Sequence, residues 1–173
     1  MMADRVRGWA QALAWLALLC LAGAMLVTLA DIGLRALSRT IGLLTGRPPG
    51  LALVGIVDLV QLAVMAAAYL AIPFTFAGEG HVAVDVLHLR LSARQQLLLR
   101  ALGALLSCLF MAMILIFGIE QARLVAAYGD RSATLGIPLV WYWLPLLAGA
   151  ALSVLITALQ TASLLLRLFR ARR

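Results

Sequence analysis

The sequence predicts an all-α integral membrane protein: four transmembrane helices, with an interfacial amphipathic segment between spans two and three. Three observations carry that expectation. Apolar residues make up 65% of the chain, far above the roughly 45–50% of soluble domains, and the mean hydropathy is +1.06, so lipid must cover much of the surface. The apolar residues fall into four long runs separated by Gly, Pro and Arg clusters. At about 20 residues per crossing, the 173 residues hold four spans in a single membrane domain and leave no room for ten or twelve.

Span one is expected at 9–34, broken only by Gln11 and Thr28 before Asp31. Arg5 and Arg7 precede it as in a signal peptide, but the apolar run exceeds the usual 7–15 residues and has no clear small-x-small cleavage site, so it reads as a retained helix. A loop follows from Ser38 to Gly50, ending in Gly46-Arg47-Pro48-Pro49-Gly50, a cluster of helix breakers. Span two is expected at 51–77, starting near Leu51 or Val57, with Pro73 in its last turns. Gly78-Glu79-Gly80 ends it. Residues 81–91 are too polar to span and too apolar for a simple loop, which suits an interfacial helix with His81, Asp85 and His88 on its polar face. Ser92 followed by Gln95 has capping-box spacing, so a helix starts there and becomes span three, at 97–128. Gly129-Asp130-Arg131-Ser132 is a turn. Trp141, Tyr142 and Trp143 form an aromatic belt at the start of span four, at 140–166.

The formal charge of +7 comes from 14 Arg and no Lys against seven acids. These cations punctuate apolar runs and do not gather on a soluble face, as topology-setting residues do, and nucleic-acid binding is not expected. Nine arginines fall on the side of the termini and five on the other. With an even number of spans, that excess places both termini in the cytoplasm.

Ionisable groups within a membrane are costly unless paired or hydrated, so their depth is informative. Here they avoid the midplane. Asp31 with Arg35 and Glu120 with Arg123 have i,i+4 and i,i+3 spacing and match as local ion pairs. Asp58 opens span two at the level of Arg35, and a network joining Arg35 to Asp58 would pin spans one and two. No repeat symmetry or broken mid-span helix marks a transport pathway. His81, Asp85 and His88 share i, i+4, i+7 spacing, a possible metal set, but a surface helix needs such a polar face in any case. No metal or cofactor is expected, nor is enzymatic activity. Cys20 and Cys108 read as small core residues. Small residues recur every fourth position in Ala63-Ala67-Ala71, Gly103-Ser107 and Gly149-Ser153, spacing that lets helices approach closely in lipid.

Three features resemble the small, DctQ-type subunit of TRAP transporters: Arg35 after span one with Asp58 opening span two; the string Gly80-His81-Val82-Ala83-Val84-Asp85-Val86-Leu87; and Leu135-Gly136-Ile137-Pro138-Leu139 followed by Trp141 to Trp143. One departure is that the family often pairs two acids at the start of span two, where this chain has Asp58-Leu59. The resemblance implies a scaffold subunit in the bacterial inner membrane. It would bind a large multi-span permease that carries an organic anion with sodium, in a system fed by a periplasmic substrate-binding protein. Alternatives from other classes are a haem- or quinone-associated oxidoreductase anchor and a self-contained small exporter. The first would draw histidines from facing helices, yet both histidines share one segment. The second would use a deep carboxylate, and the nearest, Glu120, lies off-centre beside Arg123.

Overall fold

The computed structural model describes residues 2–78 and 92–170. They form four helices: α1 (Met2–Thr45), α2 (Ile56–Ala77), α3 (Ala93–Tyr128) and α4 (Val140–Arg170). All four are long and apolar enough to cross a membrane. The expected interfacial segment, with His81, Asp85 and His88, lies outside the described residues.

The boundaries differ most at α1, which continues through the stretch expected to be a loop and ends at Thr45. Polar residues there do not break the helix, because the Thr40 and Thr45 hydroxyls donate back to the carbonyls of Ala36 (2.9 Å) and Ile41 (2.7 Å). The actual stop is Gly46, at φ +71°, whose N–H closes on the Gly42 carbonyl at 2.9 Å. A left-handed glycine after the last turn is a common helix terminator. Pro48 then folds back over Gly42, where a Cβ would meet the proline ring. At the start of α3 the capping box is formed in both directions: Ser92 Oγ accepts from the Gln95 N–H, and the Gln95 side chain accepts from the Ser92 N–H. Pro73 lies inside α2 and is buried.

Helix packing follows the order α1, α2, α4, α3. The extensive interfaces are α1 with α2, α2 with α4, and α4 with α3, so two antiparallel hairpins meet along α2 and α4. The outer members of the series each bury one narrow stripe. On α1 it is Ala10, Ala17, Ala24, Asp31 and Ser38, all buried and each seven residues from the last. On α3, Ala101, Met111, Gly118 and Ala122 are buried with heptad spacing. A seven-residue period keeps one seam against a neighbouring helix by left-handed supercoiling. Alanine and glycine on the seam permit the close approach that dispersion needs where lipid removes the hydrophobic drive. Ala17 packs with Ala66, Ala67 and Leu70, while Ala10, Ala77 and Ile156 meet near the terminal end.

Along the central interface α2 and α4 come together at Gly149, where any side chain would run into the Tyr69 carbonyl. Ser153 and Thr157 are fully buried beside it. Their hydroxyls would be costly there if unpaired, and each donates to the carbonyl four residues back, Ser153 to Gly149 (2.7 Å) and Thr157 to Ser153 (2.8 Å). Gly149-Ser153 and the Ala67 portion of the alanine stripe are therefore internal packing, whereas a Cβ on Gly103 would meet only open space.

Candidate functional site

Among the described residues, the charged side chains singled out in the sequence, Asp31, Arg35, Asp58, Glu120 and Arg123, lie towards the end of the helices opposite the termini, where the α1–α2 and α3–α4 connections lie. Each connection carries backbone N–H groups that no helix satisfies, and such groups need partners when withdrawn from water. Side chains of α1 and α2 supply them.

Within the first hairpin, the segment after Gly46 runs back along α1. Ser38 Oγ accepts from the N–H groups of Gly50 (3.0 Å) and Leu51 (3.3 Å), and one Asp31 oxygen accepts from the Leu53 N–H at 2.8 Å. The other Asp31 oxygen takes the Arg35 Nε at 2.6 Å, the i,i+4 pair anticipated from the sequence. Asp31 and Ser38 are the polar continuation of the alanine stripe. Where α2 has not yet begun, they hold the non-helical backbone of residues 50–53 in place of a helix.

The second connection is held differently. Asp58, in the first turn of α2 and buried, accepts at one oxygen from the N–H groups of Thr134 (3.1 Å) and Leu135 (2.8 Å). Its own carbonyl accepts from the Tyr142 hydroxyl at 3.0 Å. The 130–139 turn is preformed to present those amides: the Ser132 N–H donates to the Ile137 carbonyl (2.8 Å), the Leu139 N–H to the Asp130 carbonyl (2.9 Å) and the Ile137 N–H to Ser132 Oγ (2.9 Å). Gly136 takes φ +66° within it. Gly55 must lack a side chain, because its φ is +77° and a Cβ would collide with Leu135. Asp58 and the Leu135–Leu139 string, two separate marks in the sequence, thus touch each other.

The expected pairing of Arg35 with Asp58 does not form. Arg35 is committed to Asp31, and Asp58 faces amides of the other hairpin, which satisfy a buried carboxylate without desolvating a cation. Glu120 and Arg123 are exposed on α3, and among the described residues no ion pair joins them, contrary to the i,i+3 expectation. His81 and Asp85 fall outside the described residues.

Three contributors went unrecognised in the sequence. Ser38 reads as the first residue of a loop; its seven-residue distance from Asp31 is the signal that places it on the helix. Tyr142 reads as part of the belt, yet it is buried while its neighbour Trp141 is exposed. Gln160, a lone amide in an apolar span, donates to the Phe76 carbonyl at 2.6 Å, serving one of the acceptors that the last turn of a helix leaves open.

The arrangement fixes loops and joins hairpins; Asp31 and Asp58 are both engaged by donors of the chain itself. Among known proteins, no curated protein and no solved structure matches. A family model does, over residues 50–167, more than half of the chain: tripartite ATP-independent periplasmic transporters, DctQ component.

Proposed function

This chain belongs to the DctQ family, the small membrane component of tripartite ATP-independent periplasmic transporters, and from that membership we propose that it serves as the static scaffold of such a system. In this reading it binds the large permease subunit and widens the base against which the permease carries an organic anion with sodium, after delivery by a periplasmic binding protein. The observation that supports a static role is the commitment of Asp31 and Asp58 to backbone amides of the two connections. A carboxylate that receives solute or ion must be free to exchange partners; these two instead tie the hairpins into one body. The excess of arginines on the side of the termini supports a multi-pass placement in the inner membrane with both termini cytoplasmic.

Reconstitution tests the role directly. In vesicles given an inward sodium gradient the chain alone should give no uptake, and uptake should need the chain, its large subunit and the binding protein together. Transport by the chain alone would replace the scaffold with an exporter. The orientation has its own test: external thiol reagents should reach cysteines introduced at Gly46 and Asp130, and not at Gly80 or Arg172.

A further inference from the structure

Three carboxylates lie in the helices towards the loop end, and the chain treats them unequally. Asp31 and Asp58 are buried and each accepts from at least two donors of the chain. Glu120 is exposed, and among the described residues no hydrogen bond or ion pair reaches it, although Arg123 is one turn away on the same helix.

Its depth follows from packing. Gly118 sits against Leu146 and Leu147 of α4. At 1.5 Å per residue, Glu120 is about 3 Å further towards the loop end than this contact, Trp143 about 5 Å and Arg123 about 7 Å. Tryptophans of such belts sit at headgroup level, so Arg123 lies past Trp143 while the Glu120 backbone is about 2 Å on its hydrocarbon side. Its direction is equally defined. The seam towards α4 runs through Met111, Gly118 and Ala122, and at 100° per residue Glu120 projects roughly 180° away from its centre. Around it Met113, Ile116, Phe117 and Leu124 are all exposed. A carboxylate that faces lipid alone is strongly disfavoured, and charged groups at such depth face a protein partner or water.

We propose that this face of α3, centred on Glu120 and bounded by Phe117 and Leu124, is the surface on which the large permease subunit docks, with a cationic or N–H donor of that subunit meeting the Glu120 carboxylate. The inference rests on the scaffold reading above and adds the face. Several features favour the permease over lipid. The helix stands at one end of the packing series with a single extensive neighbour, as α1 does at the other, but Asp31 of α1 is engaged by Arg35 and Leu53 whereas Glu120 is not engaged among the described residues. The apolar residues of α3 supply the contact area, and the acid supplies the one directional element. Arg123, at belt level, remains available to phosphate or to an acid of the same partner.

The test uses the assembled transporter in its native membrane. Photoreactive benzoyl-phenylalanine is placed at Phe117 or Leu124 on α3, and at Met25, an exposed position on α1, as a control. Adducts to the large subunit should form from α3 and not from α1. In parallel, Glu120→Ala should reduce the large subunit recovered with the tagged chain by about tenfold, the scale of a lost charge-assisted hydrogen bond, and Glu120→Gln should restore part of it. Adducts with lipid alone from Phe117 and Leu124, or undiminished recovery with Glu120→Ala, would overturn the assignment of this face. If the unaltered chain recovers no large subunit at all, the scaffold reading itself falls, and that outcome is distinct from a permease that is recovered without α3 adducts.

Discussion

Asp31 and Asp58 do the same chemistry at different range. Both are aspartates in apolar helices, both are buried, and both accept backbone N–H groups from a connection that would otherwise lack partners. Asp31 acts within its own hairpin, on Leu53, and shares the work with Arg35 and Ser38. Asp58 reaches the other hairpin, 76 and 77 residues along the chain at Thr134 and Leu135, and among the described residues no cation joins it there. One aspartate finishes a hairpin; the other makes two hairpins a single body. Where a carboxylate is supplied by preformed amides, an arginine is unnecessary, and the desolvation of a second charge is avoided.

That contrast is most exposed by removing Asp58. Asp58→Ala leaves two amides of the 130–139 turn without an acceptor, and buried unsatisfied donors are among the costly defects. The melting temperature of the purified chain in detergent should fall by about 8 °C, with the loop end of α4 becoming accessible to hydrogen exchange. Asp58→Asn keeps an acceptor oxygen and should recover part of the loss. An effect no larger than that of Asp31→Ala would erase the distinction between the two aspartates.

The same interface can be challenged lower down. Gly149→Ala puts a methyl group against the Tyr69 carbonyl, and because backbone must move to admit it, a fall of about 5 °C is expected. The hairpins should separate at α2 and α4 while each stays helical, visible as unchanged helix content with lost protection along that seam. Retained stability would mean that Asp58, and not the close helix contact, carries the joining of the hairpins.

Arg35→Ala should have the smallest effect, about 1 °C, because its side chain is 59% exposed and exposed ion pairs contribute little. Asp31 keeps the Leu53 N–H in any case. Since Arg35 and Asp58 share no contact, their single effects should add in a double-mutant cycle. Non-additivity would restore the network between spans one and two.

The four spans and the helix cap at Ser92 were legible because each depends on local sequence: long apolar runs, and a serine with a glutamine three residues on. The Asp31–Arg35 pair was legible for the same reason. Asp58 stands out in the sequence, but its partner does not, since an opposite charge such as Arg35 is visible there and nothing marks the amides of Thr134 and Leu135 as acceptor-seeking. The end of α1 was misplaced because Ser38, Arg39 and Thr40 look like loop residues, whereas hydroxyls that bond back to the helix and an arginine near its end are tolerated there. The seven-residue recurrence of Ala10, Ala17, Ala24, Asp31 and Ser38 held the information and would have extended the helix at least to Ser38. Packing order was not legible, because α1 and α3 each carry one narrow seam and nothing in either names its neighbour.

The Asp58 latch is expected to make the two hairpins behave as one rigid body. It is tested most directly by the distance between spin labels at Arg47 and Ala133, exposed positions on the two connections, measured by pulsed electron resonance in the assembled transporter at rest and during uptake. One narrow distance distribution is expected, unchanged by turnover and broadened by Asp58→Ala. A second distance that appears during uptake in the unaltered chain would contradict it.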